Sequence, residues 1–105
     1  MKIYNTRLYD KWFSKLRDNV AKLKIDARIW RIKLYKDFGD CEKVSKNVSE
    51  LKINHGPGYR IYLTIKEEKV IILLIGGDKS SQARDIKKAE KMASYVLIEE
   101  VEEWY

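Results

Sequence analysis

The stretch from Val48 to Ile75 restricts the fold of this chain more than any other part of it. Val48 to Asn54 alternates, with Leu51 and Ile53 on one side, and Tyr59 to Lys66 alternates with Tyr59, Ile61, Leu63 and Ile65 on one side. A side-chain period of two is that of a half-buried β-strand. Gly56-Pro57-Gly58 turns the chain between these runs, and Glu67-Glu68 turns it again before Val70 to Ile75, which is β-branched and leucine-rich without alternation. That last run reads as a strand covered on both faces or central in the sheet. Two successive hairpins therefore commit the second half of the chain to an antiparallel sheet.

The first half reads as helical. Lys2-Ile3-Tyr4 is a short first strand, and Thr6 caps a helix whose apolar positions Leu8, Trp12 and Leu16 recur every four residues. After Asp18-Asn19, the positions Val20, Leu23, Ala27, Trp30 and Leu34 form a second helical stripe, widened by Ile25, Ile29 and Ile32, so the two segments pair as a helical hairpin. Lys22, Lys24, Arg28, Arg31 and Lys33 ring the exposed side of the second helix, where they keep it soluble or meet an anionic surface. Asp37 to Asn47 has no periodicity and reads as a loop, while Gly76-Gly77-Asp78 breaks the last strand. Ser80 or Ser81 then caps a final helix with Asp85 in its first turn and Ile86, Ala89 and Ala93 as its packing stripe. Val96 to Tyr105 is expected to prolong that helix as an acidic amphipathic extension through Leu97, Val101 and Trp104. The expectation is a small α+β domain over residues 1–95, ordered β-α-α-β-β-β-α, with the helical hairpin packed on a mainly antiparallel twisted sheet and residues 96–105 as the extension.

At 105 residues, 45% apolar and 36% charged, one globular domain is expected. The apolar run at Val70–Ile75 is far too short to cross a bilayer, and the start has neither a long apolar segment nor a small-residue cleavage site, so the reading is cytoplasmic. Cys41 is alone, which excludes an internal disulfide and a multi-cysteine metal site. The net charge is +6, and the last ten residues hold four acids and no base, so the preceding body is more basic still. Such a field attracts nucleic acid, and would equally attract an acidic protein.

Strand geometry brings scattered bases together. A hairpin centred at Glu67-Glu68 sets Arg60 opposite about Ile75, next to the exit toward Lys79; the Gly56-Pro57 turn sets it opposite about Ile53, so Lys52 and Asn54 reach the same end. With Leu51 and Ile53 in the core, Glu50, Lys52, Asn54, Arg60, Tyr62 and Thr64 share the other face, which is expected to be polar and basic. Lys52, Arg60 and Lys79 near a helix N-terminus suit a phosphate, and preplaced cations also stabilise the phosphorane formed when a ribose 2′-hydroxyl attacks the adjacent phosphate. Anion binding alone fits the same convergence. No Asp, Glu or His cluster has metal-ligand spacing, so no metal or cofactor is expected. His55, before the turn, is placed to exchange a proton or is a surface residue of the turn; Tyr62 stacks a base or packs.

The run Ser49-Glu50-Leu51-Lys52-Ile53-Asn54-His55-Gly56-Pro57-Gly58-Tyr59-Arg60-Ile61-Tyr62, followed by Leu73-Leu74-Ile75-Gly76-Gly77-Asp78-Lys79-Ser80-Ser81-Gln82-Ala83-Arg84-Asp85-Ile86, resembles the HigB-like addiction module killer proteins of the RelE/ParE toxin superfamily, in their phage-derived Gp49-like branch. The resemblance spans residues 1–95. It implies the toxin of a type II toxin-antitoxin system, a metal-independent and ribosome-dependent mRNA endoribonuclease that inhibits translation. It also implies neutralisation by a cognate antitoxin, usually a helix-turn-helix protein, with a toxin-antitoxin complex on operator DNA. On this resemblance Lys52, Arg60 and Lys79 bind phosphate and stabilise the transition state, with His55 and Asp85 as further catalytic candidates. Arg28, Arg31, Tyr62, Gln82 and Arg84 are the RNA-binding candidates. The tyrosine that some members use for proton transfer is replaced near Asp85, which leaves the acid-base group open among Lys52, His55 and Asp85, with Lys52 and His55 ahead. Two competing functions remain: a ParE-like DNA gyrase poison, and a non-catalytic antitoxin- or RNA-binding module.

Overall fold

A computed structural model describes residues 1–96 and 101–103. Strand β1 (Lys2–Asn5) leads into helices α1 (Arg7–Lys15) and α2 (Asn19–Tyr35), followed by strands β2 (Cys41–Ser45), β3 (Val48–Ile53), β4 (Tyr59–Lys66) and β5 (Val70–Asp78). A 3-10 turn over Lys79–Ser81, helix α3 (Gln82–Ala93) and a two-residue strand β6 (Glu102–Glu103) complete the order. The strands lie in the order β2-β3-β4-β5-β1-β6; β1 runs parallel to β5 and the other pairs are antiparallel. This is the expected α+β architecture, in three layers.

Local chemistry sets the helix starts. Thr6 Oγ1 accepts from Tyr9 N–H at 3.1 Å and donates to the Leu74 carbonyl at 2.5 Å, so one hydroxyl caps α1 and ties it to β5. Asp18 Oδ1 caps α2 by accepting from Ala21 N–H at 3.0 Å. The helical hairpin buries Tyr9, Ile25, Ile29 and Ile32 against Leu51, Ile61, Leu63 and Ile71 on one face of the sheet. The opposite face packs Tyr62, Ile72 and Leu74 under Ala89 and Met92 of α3. Val70–Ile75 is thus covered on both sides, which explains its lack of alternation. No helix among the described residues is long and apolar enough to cross a membrane.

Four local expectations are corrected. Part of the presumed loop Asp37–Asn47 is strand β2: it is a largely exposed edge carrying Glu42 and Lys43, with a register shift before Ser45, so it shows no buried period. Strand β5 does not break at Gly76-Gly77-Asp78 but continues pairing through Asp78. A β-carbon at Gly76 would enter the Trp12 ring and one at Gly77 would enter the Asp85 carboxylate, so these glycines admit side chains from both helical layers rather than ending the strand. On α2 the buried stripe is Ala21, Ile25, Ile29 and Ile32, while Val20, Leu23, Trp30 and Leu34 face outward. Finally, α3 stops at Ala93, and Glu102–Glu103 pairs with β1 as strand rather than extending a helix, covering an edge that β1 would otherwise present; residues 97–100 and 104–105 of the expected extension lie outside the described residues.

Candidate phosphate-binding site

Strand register brings the predicted cations together more closely than expected. A three-residue turn after Lys66 and a register shift between Tyr62 and Leu63 set Arg60 opposite Gly77 instead of Ile75, and β3 pairs Lys52, not Ile53, with Arg60. Lys52 and Arg60 are therefore direct cross-strand partners on one face. Gly58, at φ +78°, allows the turn to close over this corner: a β-carbon there would lie 3.6 Å from Lys79 Cβ and 3.7 Å from Arg60 Nη1. Lys79 itself is exposed. The corner adjoins the start of α3, whose N-cap Ser81 makes no side-chain cap bond, since its hydroxyl donates to Asp85 Oδ2 at 2.5 Å instead. Cations next to such a helix end favour an anion.

Below the corner lies a polar layer formed by the buried Glu50 and Tyr62 with Gln82. Glu50 is wholly buried; its Oε2 accepts from Gln82 Nε2 at 2.9 Å, and its Oε1 stands 4.0 Å from Arg60 Nε. Tyr62, its cross-strand partner, is also fully buried. Burial first, and the Glu50 carboxylate next, push the Tyr62 phenol far above its ordinary value. Glu50 Oε1 and Arg60 Nε lack a hydrogen-bond partner, and the Tyr62 hydroxyl faces the Glu50 carboxylate. Buried polar atoms are nearly always paired, so two unpaired ones facing each other between Glu50 and Arg60 set this layer apart from ordinary packing. Alternation had already placed Glu50 on the Arg60 face; its pairing with Gln82 required α3 to be laid over the sheet.

The expected basic face is also covered and partly neutralised. Lys52 Nζ donates to Glu42 Oε2 at 3.1 Å, which raises the lysine pKa. Tyr62 is too deep to stack a base, because α3 lies over it. Arg28 directs its guanidinium at the carbonyls of Lys52 (2.6 Å), Phe38 (2.8 Å) and Asp40 (3.1 Å), clamping α2 to the end of β3. Arg31 pairs with Asp37 at 2.5 Å. Arg84 is exposed, and its charge helps hold the Asp78 carboxyl below its ordinary value, after the larger effect of Ser80. His55 Nε2 sits 2.9 Å from Asp18 Oδ2, which ties the turn before Gly58 to the start of α2. Asp18 is held below the usual carboxylate value chiefly by the Ala21 N–H and then by His55.

The arrangement brings Lys52, Arg60, Lys79, Gln82 and Asp85 to one end of the sheet and assigns Arg28 and Arg31 to contacts within the fold. The family model for phage-derived Gp49-like proteins matches residues 11–94, which include every one of these side chains. A curated protein of Haemophilus influenzae, described as uncharacterized, is 45% identical over 93 residues, covering 89% of this chain and 93% of that protein.

Proposed function

The chain belongs to the phage-derived Gp49-like family, and from that premise we propose that it is the toxin of a type II toxin-antitoxin pair, a metal-independent endoribonuclease that cuts ribosome-engaged mRNA. The observation that carries this reading is the meeting of Lys52, Arg60 and Lys79 at the uncapped start of α3. In the proposed step a ribose 2′-hydroxyl loses its proton and attacks the adjacent phosphorus; the bond to the 5′-oxygen breaks, that oxygen takes a proton, and a 2′,3′-cyclic phosphate remains. Negative charge builds on the non-bridging oxygens, where the exposed Lys79 and the accessible part of Arg60 stabilise it more than the ground state. Lys52 keeps its charge through Glu42 and acts as a cation, not a base. His55, oriented through Nε2 by Asp18, retains Nδ1 for proton exchange. A cognate antitoxin, of helix-turn-helix type, is the proposed neutralising partner.

The depth of Arg60, only 8% exposed and set against Glu50, favours one competing reading: an RNA-binding module without cleavage. Induced expression in a bacterium with mapping of mRNA 5′ ends separates the two. Because Arg60→Ala disturbs a buried pair, the exposed Lys79→Ala is expressed beside it. In-frame cuts within translated messages that fall at least about tenfold in Lys79→Ala support the nuclease. Arrest with intact messages, or cuts indifferent to both substitutions, would overturn it.

A further inference from the structure

Helix α2 is apolar on two sides. Its Ala21, Ile25, Ile29 and Ile32 are buried against the sheet, yet Val20, Leu23, Ala27, Trp30 and Leu34 lie toward solvent, with Leu23 70%, Leu34 61%, Val20 51% and Trp30 44% exposed. Single exposed apolar residues are ordinary on a protein surface, but these five follow the spacing three, four, three, four, which is the a and d pattern of a heptad seam. The seam runs from Val20 to Leu34, roughly 20 Å of helix at 1.5 Å per residue. A sheet or a loop has no matching period; another helix does.

We propose that this seam docks an amphipathic helix of a partner protein, apolar at its own a and d positions and acidic along its flanks. The charge pattern selects that occupant. Helix α2 carries five bases and one acid. With Val20 at position a, Lys24 falls at e and Lys33 at g, positions that flank a seam and choose its partner; Arg31, also at e, is already paired with Asp37, and Asp26 is the one acid on the helix. Two copies of α2 would bring two cationic helices together, whereas an acidic helix complements them. The seam belongs to the layer opposite α3, so its occupant does not need the phosphate corner, and the proposal stands whether or not the protein cleaves RNA.

The test uses the full chain and a synthetic three-heptad helix with leucine at a and d and glutamate at e and g. This probe binds the wild-type protein, and Leu23→Glu weakens it at least about tenfold; Leu34→Ser, at a second exposed position, does the same if the first variant loses its helical circular dichroism. Lys43→Glu, on β2, leaves the affinity unchanged. A matching peptide with lysine at e and g binds at least about tenfold more weakly. Equal binding of both peptides, no loss in either seam variant, or a dimer in light scattering that Leu23→Glu dissolves would each overturn the proposal, the last by assigning the seam to a second copy of this chain.

Discussion

With no solvent contact and one carboxylate oxygen unbonded, Glu50 is held by Gln82 and stands 4.0 Å from Arg60 Nε. Breaking a buried ion pair leaves an uncompensated charge, which generally costs about 3–5 kcal/mol. Glu50→Gln is therefore expected to lower unfolding free energy by about 3 kcal/mol in urea titration; a change below about 1 kcal/mol would mean that Arg60 reaches solvent when its partner is lost. At this scale the sequence was legible where alternation decided the face: Glu50, Lys52, Arg60 and Tyr62 do share one. It misled where depth decided, because alternation gives a side and not a distance from water. In the sequence Tyr62 and Arg60 look like any exposed pair; α3 packs over Tyr62, and the Gly58 turn closes on Arg60.

The ends of α2 show how far element boundaries can be read. The break at Asp18-Asn19 before the apolar stripe marks where α2 starts, and the structure makes Asp18 its cap, a short acceptor that satisfies a free N–H group of the first turn. The end is less so: Lys36 closes α2 in the left-handed region at φ 56°, a position glycine fills without strain. Lys36→Gly is expected to stabilise the protein by about 0.5–1 kcal/mol, read as a shift in the denaturation midpoint, less whatever glycine's freer unfolded chain returns. No gain, or a loss, would show that the freer unfolded chain outweighs the relieved backbone. Strand β2 was invisible because an exposed edge strand has no apolar period, and the α2 stripe was misassigned because the helix has two, one for its own core and one facing outward.

Across the molecule, four carboxylates are held below their ordinary values by bonds that join distant elements or close turns. Asp18 is lowered mainly by Ala21 N–H, Asp37 by Arg31, Asp78 by Ser80, and Glu90 by Ser45 with Asn47, which fastens α3 to the β2–β3 turn. A depressed carboxyl pKa contributes stability that is present above the ordinary values, 3.8 for Asp and 4.5 for Glu, and is lost as pH falls through the folded ones. The melting temperature is thus expected to hold from neutral pH down to about pH 5 and to fall below about pH 4. A flat profile down to about pH 2.5 would deny these four bonds a share in stability.

The sequence by itself determined the α+β class, the helical hairpin, the two β-hairpins and the convergence of Lys52, Arg60 and Lys79, because all of these follow from period and turn chemistry, which act over a few residues. Tertiary structure alone decided which stripe of α2 is inside, that Arg28 clamps three carbonyls, and that Glu50 and Tyr62 form a buried layer beneath Arg60. Those outcomes depend on which surfaces residues far apart in the chain cover, and burial by a distant element leaves no local period to read.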